Sequence, residues 1–348
     1  MDENSIRDYP GDRLPVIGWD IGGANLKAAR LGPEGLQVAQ QSFAIWQHRD
    51  ELVNVLARLS TQLGPASRTA VTITAELSDA FRTKREGITF VLDALRIAFP
   101  DAKLSIFGVN GQFYDLATAY EQPLAVAAAN WMATALLTAR YFSDCLLVDI
   151  GSTSTDIIPI AGGQVRAQGR NDPERLVRGE LLYTGALRTP ICAIVKRVPL
   201  RGQWCPVAAE HFATAQDVHL LLGNLSPEEC TSPSADGRAV TPAFAAERLA
   251  RVVCADLELL HSREVRAMAQ FIAAEQVHQV CGALAQVISG SQVHGPVIAV
   301  GAGTFLARAA AIRLGLDCLL PNSLFDGVVS HVAPAAAVAY LLGEQDDV

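Results

Sequence analysis

Two stretches of this chain carry the same short device, and the duplication restricts what the chain can fold into. The first is Val16-Ile-Gly-Trp-Asp-Ile-Gly-Gly-Ala-Asn-Leu-Lys-Ala-Ala-Arg-Leu31. An apolar run ends at Asp20, Gly22 and Gly23 form a turn, and Asn25 to Leu31 runs back. The second is Cys145-Leu-Leu-Val-Asp-Ile-Gly-Ser-Thr-Ser-Thr-Asp-Ile-Ile-Pro-Ile160. Asp149 stands where the first has Asp20, Gly151 where it has Gly22, and Asp156 where it has Lys27. Two strand–turn–strand units about one domain length apart predict an internal repeat. The glycines are expected to supply the φ freedom of a tight hairpin. An acid at the mouth of such a hairpin, beside bare backbone N–H groups, suits a metal-bound phosphate.

A length of 348 residues is compatible with about two domains. Half of the residues are apolar and 18% are charged, enough for a sizeable core and against disorder. The net charge of -8 argues against nucleic acid or an anionic membrane as partner. Residues 1–15 read as a polar leader, with no basic segment followed by an apolar one as a secretory signal requires. The longest apolar stretch, Pro123 to Ala139, contains Asn130, Thr134 and Thr138 and falls short of a membrane span. Seven cysteines, odd in number and never in a CxxC pair, fit reduced thiols in a cytoplasm. The histidines show no ligand spacing and read as structural, His211 and His219 included.

Between the hairpins, Gly35 to Ile45 can supply a third strand, Asp50 to Leu63 a helix and Arg68 to Thr74 a buried strand. That strand ends in Thr74-Ala-Glu-Leu-Ser-Asp79, a polar loop at the end of a strand where open α/β sheets place ligands. A helix is expected from about Gly87 to Phe99, a strand over Leu104 to Val109, and a long alanine-rich helix over Pro123 to Thr138. Arg166 to Arg178 is polar and arginine-rich; it reads as solvated, with Arg170 or Arg178 able to reach a phosphate. Pro206 to Leu222 looks helical and carries Asp217, a surface or capping acid. Ser226 to Pro242 reads as a surface loop. Two long helical patterns follow, over Pro242 to Leu260 and Ser262 to Ser289. Val297 to Leu306 is strand, glycine turn and helix, in which Gly301 and Gly303 let something flat or anionic approach the backbone, or serve close packing alone. A second alanine-rich helix spans Pro334 to Leu342.

Two Asp-Ile-Gly hairpins, two alanine-rich helices and a late Val-Gly-Ala-Gly turn, in this order, resemble the actin, sugar-kinase and heat-shock-chaperone ATPase superfamily. The resemblance implies an α/β fold of two ribonuclease-H-like domains, mixed sheets flanked by helices, facing across a cleft. It places one domain over 16–123 plus 334–348 and the other over 124–333, with a helical insertion around 206–290. Asp20, Gly22 and Gly23 match its first phosphate motif. Asp149, Gly151, Ser152 and Thr153 match the second, and Gly301 and Gly303 match the adenosine turn.

A narrower resemblance rests on Gly151-Ser-Thr-Ser-Thr-Asp156, Thr74-Ala-Glu-Leu77 and Lys84-Arg-Glu-Gly87, which are similar to the hydantoinase A/oxoprolinase branch. Ala127-Ala-Ala-Asn-Trp-Met-Ala-Thr-Ala135, Gly179-Glu-Leu-Leu-Tyr-Thr-Gly185 and Ala215-Gln-Asp-Val-His-Leu-Leu-Leu-Gly223 narrow it to tetrahydromethanopterin-linked one-carbon transfer pathway proteins. Their relatives make methanofuran or methylofuran. That group implies a transferase joining an aminomethylfuran-methyl diphosphate to the phenol of tyramine or a glutamyl-tyramine, with diphosphate leaving. The resemblance implies that Asp20, Asp149 and Asp156 hold magnesium, and that Gly22, Gly23, Asn25, Lys27, Gly151, Ser152, Thr153 and Thr155 surround the phosphates. Lys27 would neutralise the leaving group, and Glu76 or Asp79 would be base or substrate contact. Asn25 and Lys27 depart from the Thr or Asp common in the wider branch, and that departure weakens the case for ordinary ATP hydrolysis. The alternatives are an ATP-dependent small-molecule kinase or a hydantoinase-type hydrolase, and, from another class, a non-catalytic nucleotide-binding regulator. A homo-oligomer is compatible with all three.

Overall fold

The computed structural model describes residues 14–291, 293–320 and 330–345. They form two compact units. Unit one comprises the described residues within Met1–Asp144, Ile160–Asp172 and Pro321–Val348; unit two comprises those within Cys145–Pro159 and Pro173–Leu320. The polar leader expected over 1–15 lies outside the described residues except for Leu14 and Pro15. The alanine-rich helix Asn130–Tyr141 groups with unit one rather than with the later residues, because it packs on the closing helix Ala333–Gly343.

Unit one is built on six strands: β1 (Val16–Gly22), β2 (Asn25–Gly32), β3 (Gly35–Ser42), β4 (Arg68–Thr74), β5 (Lys103–Phe107) and β6 (Phe113–Tyr114). Their order across the sheet is β3-β2-β1-β4-β5-β6. β1, β2 and β3 are antiparallel, β4 runs parallel to β1, and β5 runs parallel to β4. Both faces of the centre are covered, so β1 and β4 are buried along nearly their whole length rather than on alternate residues. Ile17, Trp19, Ile21, Val71 and Ile73 share a core with the helices Leu52–Leu63 and Lys84–Ala98. The first of these helices buries Leu52, Val55, Leu56, Leu59 and Leu63, a stripe at helical spacing. Ala333–Gly343 packs on β1, β2 and β4, and all of its residues are buried.

Unit two repeats the plan. β7 (Cys145–Ile150) and β8 (Thr155–Ala161) form the second hairpin; the last residues of β8 and β9 (Gln164–Val165), which turns back on them, belong to the Ile160–Asp172 segment of unit one. β10 (Leu181–Leu182) pairs with β8, and β11 (Arg197–Leu200) with β12 (Gln203–Pro206) forms a separate ribbon. β13 (Val297–Val300) and β14 (Cys318–Leu319) complete the order β10-β8-β7-β13-β14, β13 running parallel to β7 and β14 to β13. In both units the first strand of the hairpin lies between its hairpin partner and a parallel strand arriving later in the chain. Both sheets are therefore mixed and flanked by helices, as expected. Among the described residues no helix is long and apolar enough to cross a membrane.

Three local expectations fail for identifiable reasons. Gly22 and Gly23 do not adopt positive φ. Gly22 is needed for space, since a Cβ there would lie 2.8 Å from the Asn25 carbonyl oxygen. The helix expected from Pro123 begins only at Asn130. Ala127 bridges to Ile73 at the end of β4, the Ala128 N–H donates to the Ile73 carbonyl, and Ala128 takes φ +51° to do so. Pairing with a strand end overrides alanine's helix propensity there. The helix expected over 206–222 is confined to Ala215–Leu222, because Thr214 and Asp217 form a capping box that starts it.

Candidate functional site

In unit one the turn between β1 and β2 is flanked by charge. Asp20 and Lys27 are cross-strand partners, with Lys27 Nζ 3.8 Å from Asp20 Oδ2. The Thr74 hydroxyl donates to Asp20 Oδ1 at 3.2 Å from the neighbouring parallel strand. Asp20 is 5% exposed, and burial pushes its carboxyl above the usual range against the opposing pull of Lys27 and Thr74. The Gly23 and Ala24 carbonyls accept from Ile45 and Phe43, whereas the amides of those two residues donate to no group in the described structure. Asn25, beside the same turn, accepts from the Ser42 hydroxyl at 3.4 Å.

The loop after β4 holds a second charged group. Glu76 is 2% exposed, and its Oε1 lies 3.3 Å from Lys84 Nζ. The same ammonium lies 2.5 Å from Asp172 Oδ2, also in unit one. Burial raises the Glu76 carboxyl above its ordinary range, with Lys84 opposing. The motif spacing now has a cause. Thr83 caps the helix Lys84–Ala98, placing Lys84 in its first turn, and a Cβ on Gly87 would lie 2.7 Å from the Glu76 Cα and carbonyl oxygen. The helix can press on Glu76 only through a glycine. Asp79 is exposed and joins none of these contacts.

In unit two the β7–β8 turn is held from behind. The amides of Ala186, Leu187 and Arg188 donate to the carbonyls of Gly151 and Ser152. Gly185 crosses directly over the Ser152–Thr153 peptide, where a Cβ would lie 2.5 Å from the Thr153 nitrogen. The amides of Ser152 and Thr153 donate to no group in the described structure, and both side chains are part-exposed. Asp149, next to last in β7, pairs with Val300 and is 8% exposed. A buried chain of polar groups supports the covering segment. Gln276 donates its side-chain amide to the Gly185 carbonyl at 2.9 Å and to the Thr184 hydroxyl at 3.0 Å, while its own oxygen meets His219 Nε2 at 2.9 Å.

Thr155, expected at the phosphates, and Asp156, expected to hold magnesium, are engaged elsewhere. The Thr155 hydroxyl is fully buried and donates to the Thr184 carbonyl at 2.6 Å. Asp156 Oδ1 accepts from Arg175 at 2.9 Å, and this guanidinium, 1% exposed, also reaches the Glu180 carbonyl. A carboxylate neutralised in this way is a poor ligand for a dication. Arg175, rather than Arg170 or Arg178, is therefore the buried arginine of its stretch. Asp172-Pro173 is the signal: an acid followed by proline opens a helix, and Arg175 lies within it. Lys84 was legible only as part of a motif. Gly301 (φ +86°) and Gly303 have a packing cause, since a Cβ would meet Ile150 within 2.5 Å at the first and 2.3 Å at the second.

Among the described residues no group of three or more His, Cys, Asp or Glu side chains could hold a metal ion. An all-protein cage is therefore absent there. Magnesium, which takes one or two carboxylates and fills its remaining positions with water and phosphate, would still fit one carboxylate near a hairpin turn, as Asp20 and Asp149 each are.

The Hydantoinase/oxoprolinase family matches residues 67–345. A relative from Methanocaldococcus jannaschii is 35% identical over 254 residues, covering 73% of this chain and 76% of its own. It bears the name (4-{4-[2-(gamma-L-glutamylamino)ethyl]phenoxymethyl}furan-2-yl)methanamine synthase. A protein of the same name from Methanococcus vannielii is 36% identical over 121 residues, 35% of this chain and 54% of its own. Among solved structures, a nucleotide-free acetone carboxylase superposes with a TM-score of 0.57 over 96% of this chain and 70% of its own, at 11% identity. That last likeness concerns the fold alone.

Proposed function

The chain belongs to the hydantoinase/oxoprolinase family, and from that premise we propose that it is the ether-forming transferase of a methanofuran or methylofuran pathway. It joins an aminomethylfuran-methyl diphosphate to the phenol oxygen of tyramine or glutamyl-tyramine, and diphosphate leaves. The observation that carries this reading is the Methanocaldococcus jannaschii relative, whose name describes a phenoxymethyl ether on a furan that bears a methanamine.

The chemistry sets two demands. The furan ring stabilises positive charge at its methyl carbon, so the bond to diphosphate breaks ahead of attack. The protein must therefore stabilise departing negative charge and hold the phenol within reach. In this reading the free amides of Ser152 and Thr153, with their hydroxyls, take phosphate oxygens in unit two. Unit one offers a phosphate donors of its own, the amide of Gly23 and the ammonium of Lys27. Asn25 lies beside the same turn, and Gly151 allows its counterpart. Asp149 or Asp20 would hold a magnesium ion accompanying the diphosphate, which supplies charge neutralisation when bound. As the ether bond forms the phenol loses its proton and the departing diphosphate can take one up, so protons balance without a dedicated base. Glu76 is the carboxylate this reading assigns to substrate contact.

The test is a coupled assay with the furan diphosphate, tyramine and magnesium, with ATP in a parallel tube and products identified by mass. Diphosphate plus the coupled ether, with ATP intact, is the expected result. Phosphate or ADP from the ATP tube, without ether, overturns the transferase and favours a kinase or hydrolase. Lys27→Met is expected to slow diphosphate release about 100-fold; an effect confined to the affinity for tyramine contradicts its role.

A further inference from the structure

Glu76 carries a buried oxygen that the described chain leaves unsatisfied. Oε1 faces Lys84, but Oε2 has no hydrogen-bond partner. Lys84 is shared with Asp172, so two carboxyl groups stand around one ammonium, one more than it can neutralise when both are ionised. Buried carboxylate oxygens are ordinarily paired, because enclosing one without a partner is costly. Two further side-chain oxygens in the same short run, Thr72 Oγ1 and Ser78 Oγ, are likewise buried without a partner. Gly87 lets the helix close over Glu76, since a Cβ there would lie 2.7 Å from the Glu76 Cα.

A surplus negative charge and unpaired acceptors are the complement of a primary ammonium, which brings one positive charge and three donors. A phenol brings one donor and no charge, and it would leave the surplus in place. We propose that Glu76 Oε2 is the recognition point for a primary alkylammonium, the aminomethyl group of the furan substrate. This rests on the transferase reading above. Glu76 then determines specificity: it selects furans bearing the amine, and by gripping that end it fixes where the reacting methyl carbon lies.

The experiment has two arms. In the first, furan-2-ylmethanamine and its uncharged counterpart 2-methylfuran are titrated by calorimetry into the full-length protein and into Glu76→Gln, which conserves shape. The protein is expected to bind the amine and to favour it over 2-methylfuran, with the preference falling about 10- to 100-fold in Glu76→Gln, the loss of a hydrogen-bonded charge. Equal binding of the two furans, or an undiminished preference in the variant, overturns the proposal. In the second arm the furan diphosphate and its analogue with methyl in place of aminomethyl are turned over. Glu76→Gln is expected to raise KM for the amine substrate toward that of the analogue with kcat largely kept. A fall in kcat shared by both substrates, with KM unchanged, assigns Glu76 to the phenol proton and overturns the proposal. Wild-type selectivity for the amine without any ether product retires the transferase while leaving the ammonium site standing.

Discussion

Gly18 on β1 and Ala335 on the closing helix are in such close contact that a Cβ on Gly18 would lie 2.0 Å from the Ala335 carbonyl oxygen and 2.8 Å from the Ala339 nitrogen. Both obstacles are backbone, so neither can swing aside. The alanine-rich helix lies this low on the sheet because Gly18 has no side chain and the helix residues facing it, Ala335 and Ala339, have only methyl groups. Gly18→Ala is expected to destabilise unit one by about 3 kcal/mol, the upper range for overpacking. Denaturant midpoints measure this, and an unchanged midpoint would show that the helix can lift.

Gly23 provides the contrast. It has no positive φ, and the nearest atom to a Cβ there is 3.8 Å away. The fold gives no reason for glycine at this position, whereas a phosphate against its free amide would. Gly23→Ala is expected to keep the wild-type melting temperature while raising KM for the furan diphosphate about tenfold, the worth of one hydrogen bond to a charged group. Gly22→Ala, which meets the Asn25 carbonyl, is expected to lower stability as well. Unaltered kinetics in Gly23→Ala would remove this turn from the phosphate site.

Asp149 and Asp156, equivalent acids to a reader of the sequence, are expected to separate on mutation. Asp156→Ala strips a carboxylate from a buried guanidinium and is expected to cost about 3–5 kcal/mol of stability. Asp149→Asn is expected to retain the fold and lose most turnover. Thermal melts and the coupled assay on both variants check this; full activity in Asp149→Asn would sink its assignment to magnesium.

Burial raises the Asp20 carboxyl, so the folded state binds a proton more readily than the unfolded chain does. Stability is then lost as pH rises from the unfolded value near 3.8 through the raised folded one. Asp20→Asn removes that penalty. It is expected to melt above wild type at neutral pH, to converge with it toward pH 4, and to be inactive. A melting temperature below wild type at neutral pH would mean that the contacts with Lys27 and Thr74 outweigh burial.

What the sequence made legible were features fixed by local pattern. Arg68–Thr74 is a strand over the expected span, because a β-branched run between turn residues has few other uses. The paired hairpins foretold paired sheets. What stayed hidden depended on neighbours distant in the chain. Ala128 leaves the helical region to bond Ile73, Thr155 turns to Thr184, and Arg175 folds back onto Asp156. Spacing cannot distinguish a hydroxyl facing a phosphate from one facing a carbonyl. Glu76 was nominated from its place after a strand, but its unsatisfied oxygen is a property of packing, visible only once Gly87 has brought the helix down on it.

His219 gives the protein a sensitivity to acid. It is fully buried, its Nε2 meets Gln276 and its Nδ1 meets Asn224 at 3.2 Å, and burial lowers it from 6.5 to about 4. With the Gln276 amide donating to Thr184 and Gly185, Nε2 carries the proton and Nδ1 accepts from Asn224. The unfolded chain therefore binds a proton between pH 6.5 and 4 that the folded one refuses, so stability falls as pH drops through that window. The full loss is about 3 kcal/mol, reached near pH 4. The same ring anchors the segment lying over the Ser152–Thr153 peptide, so acid should loosen that turn before unit two unfolds. His219→Gln, unable to titrate, is expected to be less stable than wild type at pH 7.5 and to show a flatter pH dependence between 6.5 and 4 in denaturant melts. A parallel slope in both proteins would assign the acid sensitivity to another group.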